Sequence, residues 1–348
     1  MLYRDVDILI LDEPTAVLTP QEVGELLESL AFLKSKGKTI IIITHKLGEV
    51  KRCSDTVTVV RHGKVIGSVK TAEVDEKALA NMMVGRDVLL RVEKQESRPT
   101  DVVYEVNGLS TKDNRGLTVV DDVSFQVRAG EIIGIAGVEG NGQSELMKVL
   151  SGLMLATKGS VSFMQQDITN WMPRHLRDLG IGIVPEDRYE HGLCKTMSIS
   201  DNSIAGYHHQ PSFSRWSFLD ADHIAQRSKQ LMAEYDIRAT SGDQLVGSLS
   251  GGNAQKVIIA RELSMNPKVI IVSQPTRGVD IGSIEFIHKQ IVKSRDEGKA
   301  VIVISSELSE IMNLSDRILV MYKGSMIGEC SAQDATQEKL GFLMAGIT

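Results

Sequence analysis

Apolar residues along this chain gather in two rhythms. Short unbroken runs, Asp7 to Leu11 and Thr39 to Thr44, have the length and β-branched content of strands buried on both faces. Between them Val23, Leu26, Leu27, Leu30 and Leu33 recur at helical spacing. Thr19-Pro20-Gln21-Glu22 leads that helix in as a capping box with proline at the first helical position. The pattern predicts a right-handed βαβ unit. Beyond it, Thr56 to Arg61 and Lys64 to Val69 flank His62-Gly63, a hairpin signal that returns around Lys323-Gly324. The predicted fold is α/β with added antiparallel strands.

The pattern also repeats. Asp12-Glu13-Pro14-Thr15 answers to Ser273-Gln274-Pro275-Thr276, Thr44-His45-Lys46 to Ser305-Ser306-Glu307, and Gly85 to Gly346. Each pair lies 261 positions apart (12 to 273, 45 to 306, 85 to 346), without a gap over 87 residues. Three segments are therefore expected: 1–87 as the carboxyl-terminal part of a first copy, the charged, Pro99-bearing stretch 88–101 as linker, and 102–348 as a complete second copy. The first copy begins at its equivalent of Glu262, so some 160 residues of it are expected to be absent.

Composition narrows the functional classes. In 348 residues the net charge is −6, with Lys and Arg spread along the chain, so the basic stripe of a nucleic-acid binder is missing and no nucleic-acid partner is expected. Cys53, Cys194 and Cys330 lie far apart, which suits free thiols in a reducing compartment. No apolar run approaches the roughly 20 residues that span a bilayer, and no apolar segment follows Met1 as in a signal peptide. Membrane work would fall to a partner.

Two glycine-rich motifs carry the chemistry. The strand Glu131 to Ala136 runs into Gly137-Val138-Glu139-Gly140-Asn141-Gly142-Gln143-Ser144 and a helix from Glu145. In such a P-loop, backbone N–H groups and a helix amino terminus converge on phosphate. Glu145 stands where a dinucleotide fingerprint would need its third glycine. The lysine expected before Ser144 is Gln143, an amide that brings no charge to phosphate oxygens, so weak binding and poor catalysis are expected. The second motif, Leu249-Ser250-Gly251-Gly252-Asn253, opens a helix Ala254 to Leu263, with Lys256 and Arg261 near. Ser250 there is either an ordinary N-cap or a hydroxyl placed, with free N–H groups, for a γ-phosphate.

Leu249 to Asn253, followed by the strand Val269 to Val272 and then Gln274-Pro275-Thr276-Arg277-Gly278-Val279-Asp280, resembles the signature-to-Walker-B order of ATP-binding cassette proteins. The resemblance covers almost the whole chain. It implies a P-loop NTPase fold of ABC type: a parallel core sheet, an antiparallel β subdomain and a helical subdomain. It also implies ATP and Mg2+ as cofactors. In the first copy it implies that Asp12 holds Mg2+ through water, Glu13 polarises the attacking water, and His45 is the switch histidine. In the second it places Gly137, Gly140, Asn141, Gly142, Gln143, Ser144 and Glu145 around the phosphates and Ser250, Gly251, Gly252 and Asn253 in the signature.

The second copy departs from the family at five places. Ser273, Gln274 and Ser306 replace the acid pair and histidine, Glu186 replaces the Q-loop glutamine, and no aromatic stands between Tyr104 and Phe125 to stack on adenine. A degenerate site is expected there.

The asymmetry resembles the fused double-cassette ATPases of bacterial simple-sugar and nucleoside importers. Gly137 to Gln143, Pro185 to Arg188 and Ile284 to His288 look most like the nucleoside branch. Integral permease subunits, an extracellular solute-binding protein acting indirectly, and a peripheral place on the cytoplasmic face of the membrane are then expected. The stretch Gly206 to Phe218 holds four of the fifteen aromatic residues. His208-His209 has no cysteine or carboxylate at ligand spacing, so this stretch is read as part of the helical subdomain, either its core or its docking surface.

Two other functions remain open: a soluble cassette ATPase acting in translation or repair, and an inactive regulatory or scaffold cassette. The lysine-bearing P-loop that would face Asp12, Glu13 and His45 is not in this sequence. This chain by itself is therefore expected to be inactive, with activity in the intact protein.

Overall fold

The computed structural model describes residues 6–15, 18–61, 63–87, 92–216 and 218–347; His62 of the first hairpin signal lies outside them, as do 88–91 of the expected linker. The chain divides into two units, Met1–Arg91 with Asp280–Glu285, and Val92–Val279 with Phe286–Thr348.

The first unit runs β1 (Ile8–Asp12), α1 (Pro20–Ser35), β2 (Thr39–Ile43), α2 (Leu47–Cys53), β3 (Thr56–Arg61), β4 (Lys64–Lys70) and α3 (Glu76–Val84). Thr19 caps α1 as its sequence predicts: its Oγ1 accepts from the Glu22 N–H while the Glu22 carboxylate accepts from the Thr19 N–H. β1 and β2 pair in parallel and β3 and β4 antiparallel, each as a two-stranded sheet. Leu47, Val59, Leu79 and Ala80 form a small core under α2 and α3. In contrast, Ile8, Ile10, Ile41 and Ile43 leave 61%, 59%, 48% and 54% of their surface exposed.

The second unit begins with β5 (Val102–Lys112), β6 (Thr118–Arg128), β7 (Ile132–Ala136), α4 (Gln143–Leu150), β8 (Lys158–Phe163), β9 (Gln166–Asp167), α5 (Pro173–Asp178) and β10 (Ile181–Val184). It continues through α6 (Ile199–Ser203), the short hairpin β11 (Ser214–Arg215) and β12 (Phe218–Leu219), α7 (Ala221–Glu234), α8 (Gly251–Ser264) and β13 (Val269–Ser273). After α9 (Ile281–Asp296) come β14 (Ala300–Ser305), α10 (Leu308–Leu314), β15 (Arg317–Tyr322), β16 (Ser325–Ser331) and α11 (Gln337–Met344).

The core sheet has the order β10-β13-β14-β7-β15-β16. Five strands are parallel and the edge strand β16 is antiparallel, so the hairpin expected around Lys323-Gly324 joins an otherwise parallel core sheet. Its tight turn is too short for the crossover that a parallel neighbour needs. A separate antiparallel sheet, β6-β5-β8-β9, packs its apolar face with α4 into the main core. Residues between β10 and β13 form the helical part, with a small core of Ile204, Tyr207, Phe213 and Ile224.

All seven elements of the first unit have a counterpart 261 residues on: β13, α9, β14, α10, β15, β16 and α11. Burial does not repeat with them. Val269, Ile271, Ile302 and Ile304, the counterparts of the four exposed isoleucines, are 0% exposed in the main core.

Candidate functional site

The loops at the carboxyl ends of parallel strands are where open α/β sheets present ligands. Here β7 ends in the glycine-rich loop. Gly142 caps α4 in a left-handed conformation (φ 99°), and a Cβ there would lie 2.4 Å from the Val119 carbonyl oxygen, so glycine is required on both counts. No side chain caps α4. Its first N–H groups and its positive dipole end are thus left for an anion, and the loop fits a phosphate group.

Around that cradle the side chains are committed elsewhere. Gln143 was expected to face phosphate as a neutral substitute for lysine. It is buried, and its Nε2 donates to the carbonyls of Ile135 (3.2 Å) and Ser305 (3.5 Å). The amide has turned inward because two strand-end carbonyls offer acceptors that the loop does not. The Asn141 side chain likewise accepts from the Lys323 N–H (3.0 Å) and holds the β15–β16 turn. The Ser144 hydroxyl donates to Glu186 (2.6 Å), and Glu145 sits half-buried in the first turn of α4.

At the ends of β13 and β14, Gln274 adopts a left-handed φ of 46° and its N–H donates to the Ile304 carbonyl (2.8 Å). Its side-chain oxygen accepts from the Ser306 N–H (3.3 Å) and hydroxyl (3.3 Å) and from the Ser305 hydroxyl (3.4 Å). Below it the Thr276 hydroxyl donates to Glu310 (2.7 Å), which also meets the His288 ring (2.9 Å). These groups make a hydrogen-bond net with no carboxylate at positions 273 or 274, in which Glu310 Oε2 is left buried without a partner.

The first unit builds the same turn with different chemistry. Glu13 has φ 45°, its N–H donates to the Ile43 carbonyl (2.8 Å), and its Oε1 lies 2.8 Å from His45 Nδ1. The other carboxylate oxygen, Oε2, is buried without a partner. A buried lone carboxylate oxygen is costly unless something comes to it, which suits a water or metal-bound water at this place. Asp12 ends β1 one residue earlier and is exposed. The structure thus brings Glu13 and His45 together, with Asp12 adjacent.

Ser250 caps α8, its hydroxyl accepting from the Asn253 N–H and side-chain amide. The ordinary N-cap reading is therefore correct as local geometry, and the hydroxyl remains at the helix amino terminus beside Gly251 and Gly252. Lys256 and Arg261 turn away from this end. Lys256 Nζ bonds Asp236 (2.8 Å), while Arg261 bonds the Gly192 carbonyl (2.8 Å) and Glu262 (2.9 Å). Glu262 is fully buried; burial pushes its carboxyl up, but Arg261, Arg177, the Tyr207 hydroxyl and the Ile183 N–H together hold it below its ordinary range.

Three features escaped the sequence. Arg188 reaches both the Gly251 carbonyl (Nη1, 2.8 Å) and the Arg277 carbonyl. Arg277 in turn bonds Glu186 (3.0 Å). The third is a groove of about 540 Å3 lined by Asn170, Trp171, Met172, His175, Asp178 and Leu179. The aromatic stretch divides: Phe213 is core at 1% exposure and Trp216 is 86% exposed. His209 pairs with Asp178 (2.8 Å), and among the described residues no cluster of His, Cys, Asp and Glu is placed to hold a metal ion.

Comparison with known proteins places these features in a family. A model described as "ABC transporter" matches residues 120–277. The nucleoside import ATP-binding protein NupA of Lactococcus lactis subsp. cremoris (strain MG1363) is 48% identical over 99% of this chain and 68% of its own length. The guanosine import ATP-binding protein NupO of Bacillus subtilis (strain 168) is 45% identical over 100% of this chain and 68% of its own. The glucose import ATP-binding protein TsgD13 of Haloferax volcanii is 44% identical over 99% of this chain and 63% of its own. Among solved structures, a nucleotide-free ATP-binding cassette of an ABC transporter superposes with a TM-score of 0.57 at 26% identity, covering 66% of this chain and 92% of that one. The family match is to one cassette, so these comparisons do not show the tandem arrangement expected from the repeat.

Proposed function

Because this chain belongs to the ATP-binding proteins of the ABC transporter family, we propose that it is the energy-coupling subunit of a bacterial importer whose solute is a nucleoside. What carries the importer reading is the phosphate cradle of Gly137–Ser144 standing on the same chain as the Glu13–His45 pair. What favours nucleoside is the higher identity to NupA and NupO. A simple sugar is the second reading, favoured by the glucose import relative at 44%.

In this proposal the ATP that is hydrolysed would meet Glu13, His45 and Asp12 at a separate lysine-bearing phosphate loop that this sequence does not contain, and Mg2+ would help to neutralise its phosphates. Glu13 accepts a proton from the attacking water, His45 holds that carboxylate and meets the γ-phosphate, and Asp12 holds Mg2+ through water. Ser250, Gly251 and Gly252 close on the phosphates from the helix amino terminus. The cradle next to Gln274 and Ser306 binds nucleotide without hydrolysing it, since neither side chain can take a proton from water.

We also read residues 1–87 as the carboxyl-terminal part of one cassette, 88–101 as linker and 102–348 as a second cassette. Support comes from the seven elements at one offset, and from four exposed isoleucines whose counterparts a cassette core covers completely. The groove at Trp171 and Met172 is apolar and open, and suits a helix of the integral permease subunits better than Phe213, which is core. The protein then sits peripherally on the cytoplasmic face; among the described residues no helix is long and apolar enough to cross a membrane. A solute-binding protein would meet the permease rather than this chain.

Uptake measurements test the solute. Cells lacking the gene should lose uptake of a labelled purine or pyrimidine nucleoside and keep that of ribose and galactose. The reverse outcome moves the protein to the sugar reading.

A further inference from the structure

Four side chains and two backbone carbonyls of the second unit form one continuous path from the phosphate loop to the glycine-rich start of α8. Ser144 donates its hydroxyl to Glu186 Oε2 (2.6 Å). The other oxygen of Glu186 accepts from Arg277 Nη1 (3.0 Å), whose Nη2 lies 3.5 Å from Glu139 of the phosphate loop itself. The Arg277 N–H donates to the Gln274 carbonyl (3.2 Å), anchoring this residue to the end of β13. The Arg277 carbonyl accepts from Arg188 Nη2, and Arg188 Nη1 donates to the Gly251 carbonyl (2.8 Å).

Space around Gly251 is equally committed. A Cβ on it would lie 2.8 Å from Arg188 Nη1 and 2.8 Å from the Gly278 carbonyl. The first turn of α8 is thus clamped between the half-buried Arg188 and the loop that carries Arg277. A planar guanidinium holds two carbonyls at once through donors on two different nitrogens in a fixed fork.

We infer that Arg188 is a positioning residue: through Arg277 and Glu186 it couples occupancy of the Gly137–Ser144 loop to the placement of the Ser250–Gly252 motif. The physical cause lies in the first link. A phosphate in the cradle brings negative charge beside the Glu186 carboxylate and draws the Ser144 hydroxyl away from it. Glu186 then shifts its bond to Arg277, and the Arg277 carbonyl carries Arg188 and Gly251 with it. The loop without catalytic carboxylates becomes a sensor whose state is read at the motif contributed to hydrolysis. Linkage makes the effect reciprocal, so engagement of the motif changes nucleotide affinity at the loop by the same factor.

The inference rests on the loop binding nucleotide, not on the identity of the solute, so the uptake test above can fail independently of it. The experiment is hydrogen exchange on the full chain with and without ATP and Mg2+, reading peptides over residues 249–256. In the wild type ATP should slow exchange there by about threefold or more. In Arg188→Met, mant-ATP fluorescence should report an affinity within about twofold of wild type while the slowing at 249–256 disappears. Arg188→Lys, whose ammonium lacks the fork, should restore only part of it. Arg277→Met, an exposed position, should lose the same slowing with an unchanged circular dichroism spectrum. The inference is overturned if ATP leaves the 249–256 peptides unchanged in the wild type, if the chain binds no ATP, or if both methionine variants keep the full response.

Discussion

Residues 12–45 and 273–306 are the same stretch of backbone built twice. After β1 and after β13 the chain makes one left-handed turn, at φ 45° and 46°, with one 2.8 Å bond back to the next strand. Below each turn a threonine hydroxyl donates to a glutamate, Thr15 to Glu49 (2.9 Å) and Thr276 to Glu310 (2.7 Å). On this common frame the first stretch carries a carboxylate paired with an imidazole, the second an amide bonded to serines. The turn therefore does not depend on the chemistry it displays. Strain at a left-handed non-glycine residue is held by the strand ends and the threonine below, and the side chain at that position is free to be catalytic or inert.

The sharpest break in the comparison should be in turnover. In the assembled transporter, Glu13→Gln should lower phosphate release by about two to four orders of magnitude, the range for removing a general base. Gln274→Ala should change it less than twofold. Similar losses from both would mean that the second turn takes part in hydrolysis.

Burial gives a second contrast. Ile271→Ala should destabilise the chain to urea by about 2–5 kcal/mol, as in large-to-small core substitutions. Its counterpart Ile10→Ala should stay within about 0.5 kcal/mol, as at exposed positions. Equal effects would mean that the face of β1 is covered in solution.

The smallest effect concerns Gln143. If its amide serves the fold, Gln143→Ala should cost about 1–3 kcal/mol of stability, the range for leaving buried partners unsatisfied, and should leave mant-ATP affinity within about twofold. Lost affinity at unchanged stability would return Gln143 to the phosphates.

Much of this was readable in the sequence because it rests on local rules. Thr19-Pro20-Gln21-Glu22 announced a capped helix, and the runs at 39–44 and 269–272 announced strands to within a residue or two. The start of α8 was placed late, at Ala254 rather than Gly251, since two glycines are poor helix formers and only the Ser250 cap draws them in. What stayed hidden depends on partners distant in sequence. Whether Gln143 faces phosphate or the core is decided by a carbonyl 162 residues away, and Arg188 finds its acceptors 63 and 89 residues on. Phe213 and Trp216 look equivalent as letters. Only the packing around Ile204 and Tyr207 separates a core ring from a surface one.

The exposed isoleucines bear on how this protein behaves before it functions. Thr39–Ile43 reads TIIII, a run of high β-propensity with no charge and no proline, the composition of segments that stack between chains. In this chain it lies in a two-stranded sheet with a bare apolar face and unpaired strand edges, whereas the equivalent run in β14 is sealed between β13 and β7. Packing that covers that face, as β13 and β7 seal β14, would remove the hazard of self-association along β2.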